Sequence, residues 1–247
     1  ANLSRAGKTA AGLFRPPFLV FGEASPVYTV PAGTRKEKMR LLAALLLLLA
    51  TALRAANAQT GDFGYYVMAL SWSPTFCALT GVREGSKQCE DGSLRGFVLH
   101  GLWPQNEDGW PEFCRTSQTD PSRSATATMA DIMGSSGLAW HQWKKHGRCT
   151  GLSSDEYFNA SRNAFQSVRI PDVFRGLTTD VELPASVVEE AFIEANPGMI
   201  ADGITITCDE ERIDEVRICL TKDLQPRECG SDVRRDCRML DALMEAP

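Results

Sequence analysis

The chain has 247 residues, with 26 Lys+Arg against 31 Asp+Glu for a formal net charge of −5, and it carries only three histidines beside eight cysteines. An acidic balance excludes a general duplex binder, because affinity for long nucleic acid comes from basic surfaces that neutralise many phosphates and release counterions. No internal repeat, low-complexity segment or nucleotide-cradling glycine loop is present, and no cysteine pair has Cys-x-x-Cys spacing, which makes a zinc site or a redox dithiol the weaker use of the cysteines.

Residues 1 to 38 mix Pro16-Pro17, Pro26 and Pro31 with short apolar pieces and hold no sustained period, so they read as an upstream extension outside the mature protein. Met39 and Arg40 then precede an apolar run from Leu41 to Leu53, and Ala56-Asn57-Ala58 places small residues at cleavage spacing. Residues 39–58 are therefore expected to be a secretory signal peptide. The run is too short for a membrane anchor, which needs about 20 apolar residues.

Removing this segment leaves 59–247, a length suited to a single domain. Its 18 Lys+Arg face 29 Asp+Glu, a net charge of −11. Cys77, Cys89, Cys114, Cys149, Cys208, Cys219, Cys229 and Cys237 all lie beyond the cleavage point, and an even count there predicts four disulfides in an oxidising compartment. The protein is expected to be secreted or periplasmic. Spacing alone leaves about 105 ways to connect the eight cysteines.

Tyr65 to Trp72 reads as a buried strand ended by Ser73-Pro74, and Gly96 to His100 as a short strand that delivers His100 at its end. Ser153 with Glu156 forms a capping box for a helix running to about Val168; Pro184 starts another, closed by Asn196-Pro197-Gly198. Gly203 to Cys208 alternates, as do Val216, Ile218 and Leu220, and the two segments predict a hairpin around a polar loop that begins at Asp209 to Glu211. Strands at both ends with helices between them predict an α+β fold in which helices pack on one face of an antiparallel β-sheet.

Every histidine belongs to one of two short, tryptophan-containing motifs: His100-Gly101-Leu102-Trp103-Pro104-Gln105 and Trp140-His141-Gln142-Trp143-Lys144-Lys145-His146-Gly147. Histidine gains and loses a proton near neutrality, so confining it to two places points to proton transfer. If the second motif is helical, His141, Gln142, Lys145 and His146 share one face, while Trp143 and Lys144 fall on the other, with Trp143 as the core anchor. Lys144, Lys145 and Arg148 form the one positive island that also contains histidines.

That face is poor for metal, since its histidines are five apart and no carboxylate lies among them; no metal or other cofactor is expected. It suits a phosphate. A phosphodiester beside a 2′-hydroxyl is cleaved when one imidazole takes the 2′-proton and another protonates the departing 5′-oxygen, while a lysine stabilises charge on phosphorus. For a single histidine, a purely structural place in core or surface would be the better reading; three clustered with Lys145 favour chemistry.

The segments Phe97 to Gln105 and His141 to Cys149 resemble the two active-site segments of the ribonuclease T2 family, secreted metal-independent endoribonucleases, and Tyr66 to Cys77 resembles its first strand, notably in bacterial members. The resemblance implies a ribonuclease T2-like α+β fold, with His146 as general base, His100 as general acid, and His141 and Lys145 holding the phosphate. The substrate would be single-stranded RNA, cleaved through a 2′,3′-cyclic phosphate to a 3′-phosphate with low base specificity. DNA, lacking the nucleophile, would not react. The mature protein would be a monomer, away from membranes.

Trp103 is a candidate to stack on a base, with a core role nearly as good a reading; Gln105 both donates and accepts and would discriminate poorly among bases, and Trp110 is the weaker candidate for the same pocket. The resemblance also implies disulfides Cys77–Cys89, Cys114–Cys149, Cys208–Cys237 and Cys219–Cys229. One departure stands out: Gln142 occupies the position where the family usually has glutamate, and an amide cannot raise the pKa of a neighbouring histidine as a carboxylate would. The rival reading is a secreted, disulfide-stabilised binding protein on the same fold, in which Gln142 marks lost catalysis; a zinc hydrolase comes third.

Overall fold

Strand β1 (Tyr65–Trp72) spans the predicted residues and is covered on both faces. Tyr66, Met68, Leu70 and Trp72 enter the main apolar core, while Tyr65 and Val67 join a smaller cluster with Cys219, Cys229 and Val233. The computed structural model describes residues 60–90 and 96–247, so the expected upstream extension and signal peptide lie outside the described residues. Among the described residues, no helix is long and apolar enough to cross a membrane.

Ser73-Pro74 does end β1, but by opening a short helix, α1 (Ser73–Phe76), with Pro74 in its first turn where the missing N–H costs nothing. Strand β2 (Phe97–Gln105) pairs antiparallel with β1 and runs past His100. The predicted stop at His100 is therefore a bulge within a longer strand: Ala69 faces Gly101 and Leu70 faces Leu99, leaving His100 as the extra residue.

Helices follow as α2 (Arg123–Ala127), α3 (Ala130–Met133), α4 (Ser136–Lys145), α5 (Ser154–Ser167), α6 (Asp172–Arg175) and α7 (Ala185–Ala195), with strand β3 (Val181–Leu183) before α7. The capping box of Ser153 and Glu156 is formed at α5, and Pro184 precedes α7 as expected. Strands β4 (Ile204–Asp209) and β5 (Arg212–Leu220) make the predicted hairpin, but the polar loop is only Glu210-Glu211. Both residues take positive φ (41° and 66°), the backbone a two-residue hairpin turn requires. Glutamates advertise no such turn, and β5 starts at Arg212, four residues before the alternation at Val216 predicts.

With β6 (Ala242–Met244) the sheet has six strands in the order β2-β1-β5-β6-β3, and β4 lies on the other side of β5. All pairings are antiparallel except β5 with β6, which meet in parallel at Arg212 and Leu243. The architecture is the expected α+β arrangement with that one mixed element. Helices α4, α5 and α7 bury Ala139, Trp143, Tyr157, Phe158, Val188 and Phe192 against the core face of the sheet. The four disulfides are Cys77–Cys89, Cys114–Cys149, Cys208–Cys237 and Cys219–Cys229, the pairing the resemblance implies.

Helix α4 carries the second histidine motif, and Trp143 anchors it. The indole is fully buried, packs 6.0 Å from the ring of Tyr157 and donates its Nε1 to Asp120 at 2.8 Å. Trp140, 40 % exposed, only carries Lys144 at 5.9 Å over its ring. Truncating Trp143 to alanine should lower the free energy of unfolding by about 3–5 kcal/mol. The same change at Trp140 should cost no more than about 1 kcal/mol. Denaturant titrations of the two variants measure the contrast.

Candidate active site

The bulge at His100 sets the geometry of the site. Along β2, Phe97 and Leu99 point into the core before it and Leu102 after it, a change of parity that one inserted residue produces. His100, Trp103 and Gln105 consequently share the opposite face. From the other side, the C-terminal end of α4 closes against β2 at Gly101, where an added Cβ would lie 2.1 Å from Gln142 Oε1 and 2.4 Å from Trp103 Nε1. Only glycine permits that approach.

A cleft of about 320 Å³ results, lined by His100, Trp103, Gln105, Trp110, His141, Gln142, Lys145 and His146. All eight residues expected from the sequence are thus in one place. Helix α4 begins at Ser136 and ends at Lys145, with His146 at its C-cap, so the predicted shared face of His141, Gln142, Lys145 and His146 forms while Trp143 points into the core. The positive island is narrower than the sequence implied. Arg148 pairs with Asp120 at 2.5 Å and Lys144 covers Trp140, which leaves Lys145, held loosely by Glu112 at 3.6 Å, as the lysine in the cleft.

Trp103 stands between two imidazoles. Its ring centroid lies 5.3 Å from His146, nearly parallel at 24°, and 5.3 Å from His100, edge-on at 82°. The indole Nε1 donates to Gln142 Oε1 at 2.8 Å, which fixes both side chains. Gln105 is buried and donates its amide to Asp232 at 3.0 Å, a carboxylate that also receives Gly109 N at 2.9 Å. Trp110, by contrast, is 56 % exposed at the rim.

The three histidines occupy different environments. His146 is buried, its Nδ1 has no hydrogen-bond partner, and burial, then the charge of Lys145 and the neighbouring His100 and His141, push its pKa down from 6.5 to about 3. His141 is exposed at the surface yet also lowered, by desolvation first and then by Lys145 and His100. His100 places Nδ1 2.5 Å from Glu215 Oε1. Burial raises the carboxyl of Glu215, but its hydrogen bond to His100, the charge of His100 and Arg217 outweigh that and bring it below its ordinary range.

Glu215, Arg217, Asp232 and Val67 belong to the site and were not expected there. Arg217 donates to Glu215 Oε2 through Nε at 2.9 Å and Nη2 at 2.7 Å and lies 5.5 Å from the Trp103 centroid. The available signal was Glu215 and Arg217, two charged residues two apart and on one face of a strand whose neighbouring positions Val216, Ile218 and Leu220 are apolar. Placing the strand's start at Val216 hid it.

The ribonuclease T2 family model matches residues 63–229. The chain belongs to the ribonuclease T2 family. A ribonuclease of Aeromonas hydrophila is 39 % identical over 116 residues, covering 47 % of this chain and 51 % of its own. A probable ribonuclease of Haemophilus influenzae is 32 % identical over 120 residues, covering 44 % of each. The chain thus spans about half the length of these curated relatives. Among solved structures, an RNase-related protein from Calystegia sepium superposes with a TM-score of 0.57 at 19 % identity, over 75 % of this chain and 98 % of its own, and shares the fold.

Membership in the ribonuclease T2 family agrees with the pairing of the two motifs, and the cleft offers two tests. Gly101→Ala forces apart Trp103 and Gln142, so kcat/KM of whatever reaction the cleft performs should fall with a loss of about 1–3 kcal/mol in stability, read by thermal melting. The second test is acid stability. The unfolded chain binds a proton at His146 below 6.5 while the folded chain refuses it down to about 3, so this residue weakens the fold progressively as pH falls through that window. Unfolding titrations at pH 7 and pH 4 should show a smaller acid loss in His146→Gln than in the parent.

Proposed function

We propose that this protein is a secreted or periplasmic endoribonuclease that cleaves single-stranded RNA, with one mature domain acting as a monomer. One observation carries the reading: a buried imidazole kept uncharged and a second imidazole bound to a carboxylate line the same cleft as Lys145. Family membership supports the same reaction. Four disulfides suit an oxidising compartment.

In this reading His146 is the general base. Its Nδ1 is sealed from solvent, so Nε2 is the nitrogen that meets the 2′-hydroxyl; the ring is neutral there, and the negative charge of a bound phosphate opposes the push of Lys145 and so restores basicity. The 2′-oxygen attacks phosphorus, forming the 2′-O–P bond as the P–O5′ bond breaks. His100 gives its proton to the departing 5′-oxygen. Lys145 and His141 sit against the phosphate and stabilise its growing charge. The products are a 2′,3′-cyclic phosphate and a 5′-hydroxyl, and water later opens the ring to a 3′-phosphate.

The ammonium of Lys145 beside His141 and His146 opposes a divalent cation as it opposes their protonation, so the chemistry is proposed to be metal-independent. Trp103, already stacked on His146, acts as the wall that spaces the two imidazoles, and the exposed ring of Trp110 takes over as the base platform. Gln105 has its amide nitrogen engaged by Asp232, which leaves its carbonyl to face a base; low base specificity follows from so sparse a set of polar contacts. Gln142 is the observation that favours the rival, a binding protein without turnover. Its bond to Trp103 instead gives it a structural task that an amide performs as well as a carboxylate.

Purified protein in EDTA should convert RNA to cyclic phosphate and then 3′-phosphate ends and leave DNA intact. His146→Ala and His100→Ala should each lose about 10²–10⁴-fold. RNA left intact by the parent would favour the binding protein, and activity abolished by the chelator would favour a metal hydrolase. Gln142→Glu should move the acid limb of the kcat/KM profile to higher pH, because a carboxylate there favours protonated His146 and His141. An unmoved limb refutes that account of Gln142.

A further inference from the structure

Strand β5 puts one carboxylate directly behind His100, from a direction neither histidine motif supplies. Glu215 is 4 % exposed, and a carboxylate that deep is tolerated only with its charge matched and its lone pairs filled. Both oxygens are engaged: Oε1 on His100 Nδ1 at 2.5 Å, Oε2 on Arg217 at 2.7 and 2.9 Å. The backbone N–H of Glu215 donates to Thr207 Oγ1 at 3.1 Å, and that hydroxyl reaches Asp214 at 3.3 Å, so the strand holds the carboxylate by its main chain as well.

We propose that Glu215 is the positioning residue for His100: it fixes the proton on Nδ1, turns Nε2 toward the leaving oxygen, and supplies from β5 the negative charge that Gln142 withholds from α4. The inference rests on the ribonuclease reading above. An imidazole has two nitrogens, and a carboxylate on one decides which carries the proton. Arg217 occupies Oε2 and holds the buried carboxylate in its charged form, leaving Oε1 to His100 Nδ1. The other charged or titratable groups of the cleft are His141, Lys145, His146, Arg217 and Asp232; Asp232 is taken up by Gln105 and Gly109 N, so Glu215 is the carboxylate in contact with His100. Asp214, next in the strand, bonds to Thr207 instead.

The arrangement separates two kinds of residue by leaving group. A natural 5′-oxygen needs a proton from His100; a 4-nitrophenolate does not. Glu215→Gln keeps an acceptor near Nδ1 but removes the charge, and its kcat on RNA should drop about 10²-fold with KM little changed. On uridine 3′-(4-nitrophenyl phosphate) the same variant should stay within about threefold of the parent, which also shows that it folds, whereas His146→Ala should fail on both substrates. Glu215→Asp should recover part of the loss on RNA.

An equal loss on both substrates, or no loss on RNA, overturns the positioning role. Should Glu215→Gln not fold, the parent itself decides: ¹⁵N spectra of its imidazoles must show His100 protonated at Nδ1 in the neutral form, and an Nε2–H tautomer refutes the proposal. A parent inactive on RNA refutes the ribonuclease reading instead, which the tautomer measurement does not touch.

Discussion

One extra residue in an edge strand governs the whole cleft. β2 is the outermost strand beside β1, and the bulge at His100 reverses which side chains face the core, so that His100, Trp103 and Gln105 emerge together instead of alternating between core and cleft. Without that slip, Leu102 would leave the apolar core and Trp103 would enter it. The hydroxyl of Tyr157 holds the strand just beyond the bulge by donating to Leu102 O at 3.0 Å, tying α5 to the same place. The placement of the cleft's side chains is thus transmitted through backbone register.

The second constraint is how α4 is pinned. Its inner face drives Trp143 into the core, its last carbonyl, Lys145 O, accepts Phe113 N at 2.8 Å, and the Cys114–Cys149 disulfide ties the turn after His146 to the segment that carries Trp110. Gly101 then lets β2 and Gln142 meet at a distance no side chain would allow. Helix and strand, which arrive from distant parts of the chain, are thereby held by a covalent bond on one side and by the close seating of the Gln142 side chain over Gly101 on the other. Each imidazole sits on a rigid element, and none on a free loop.

Charge is distributed with the same economy. The chain is acidic at −5, yet the cleft gathers Lys145, Arg217 and three imidazoles against the one carboxylate of Asp232, so its local field is positive. Burial and the lysine keep His146 neutral, and Glu215 with Arg217 gives His100 an environment of opposite character. Two chemically identical side chains are placed in different electrostatic environments by what surrounds them. That division, more than the count of histidines, is what the proposed acid–base chemistry rests on.

Much of this was legible in the residues. Period and capping marked β1, α5 and α7, the wheel of α4 put His141, Gln142, Lys145 and His146 on one side, and the resemblance carried the disulfide pairing, because these depend on local spacing or on long motifs. What stayed hidden depends on contacts between segments far apart in sequence. The bulge exists only relative to β1, the Glu210-Glu211 turn carries no glycine or asparagine to announce it, and Glu215 is 115 residues from the His100 it holds. Likewise Arg148 and Lys144 looked like part of a basic island until Asp120 and Trp140 claimed them. Sequence determined which chemistry the chain could perform and which local elements carry it; only the packing of β2, β5 and α4 decided which charges face the cleft, since register and pairing are properties of two segments at once and neither contains them alone.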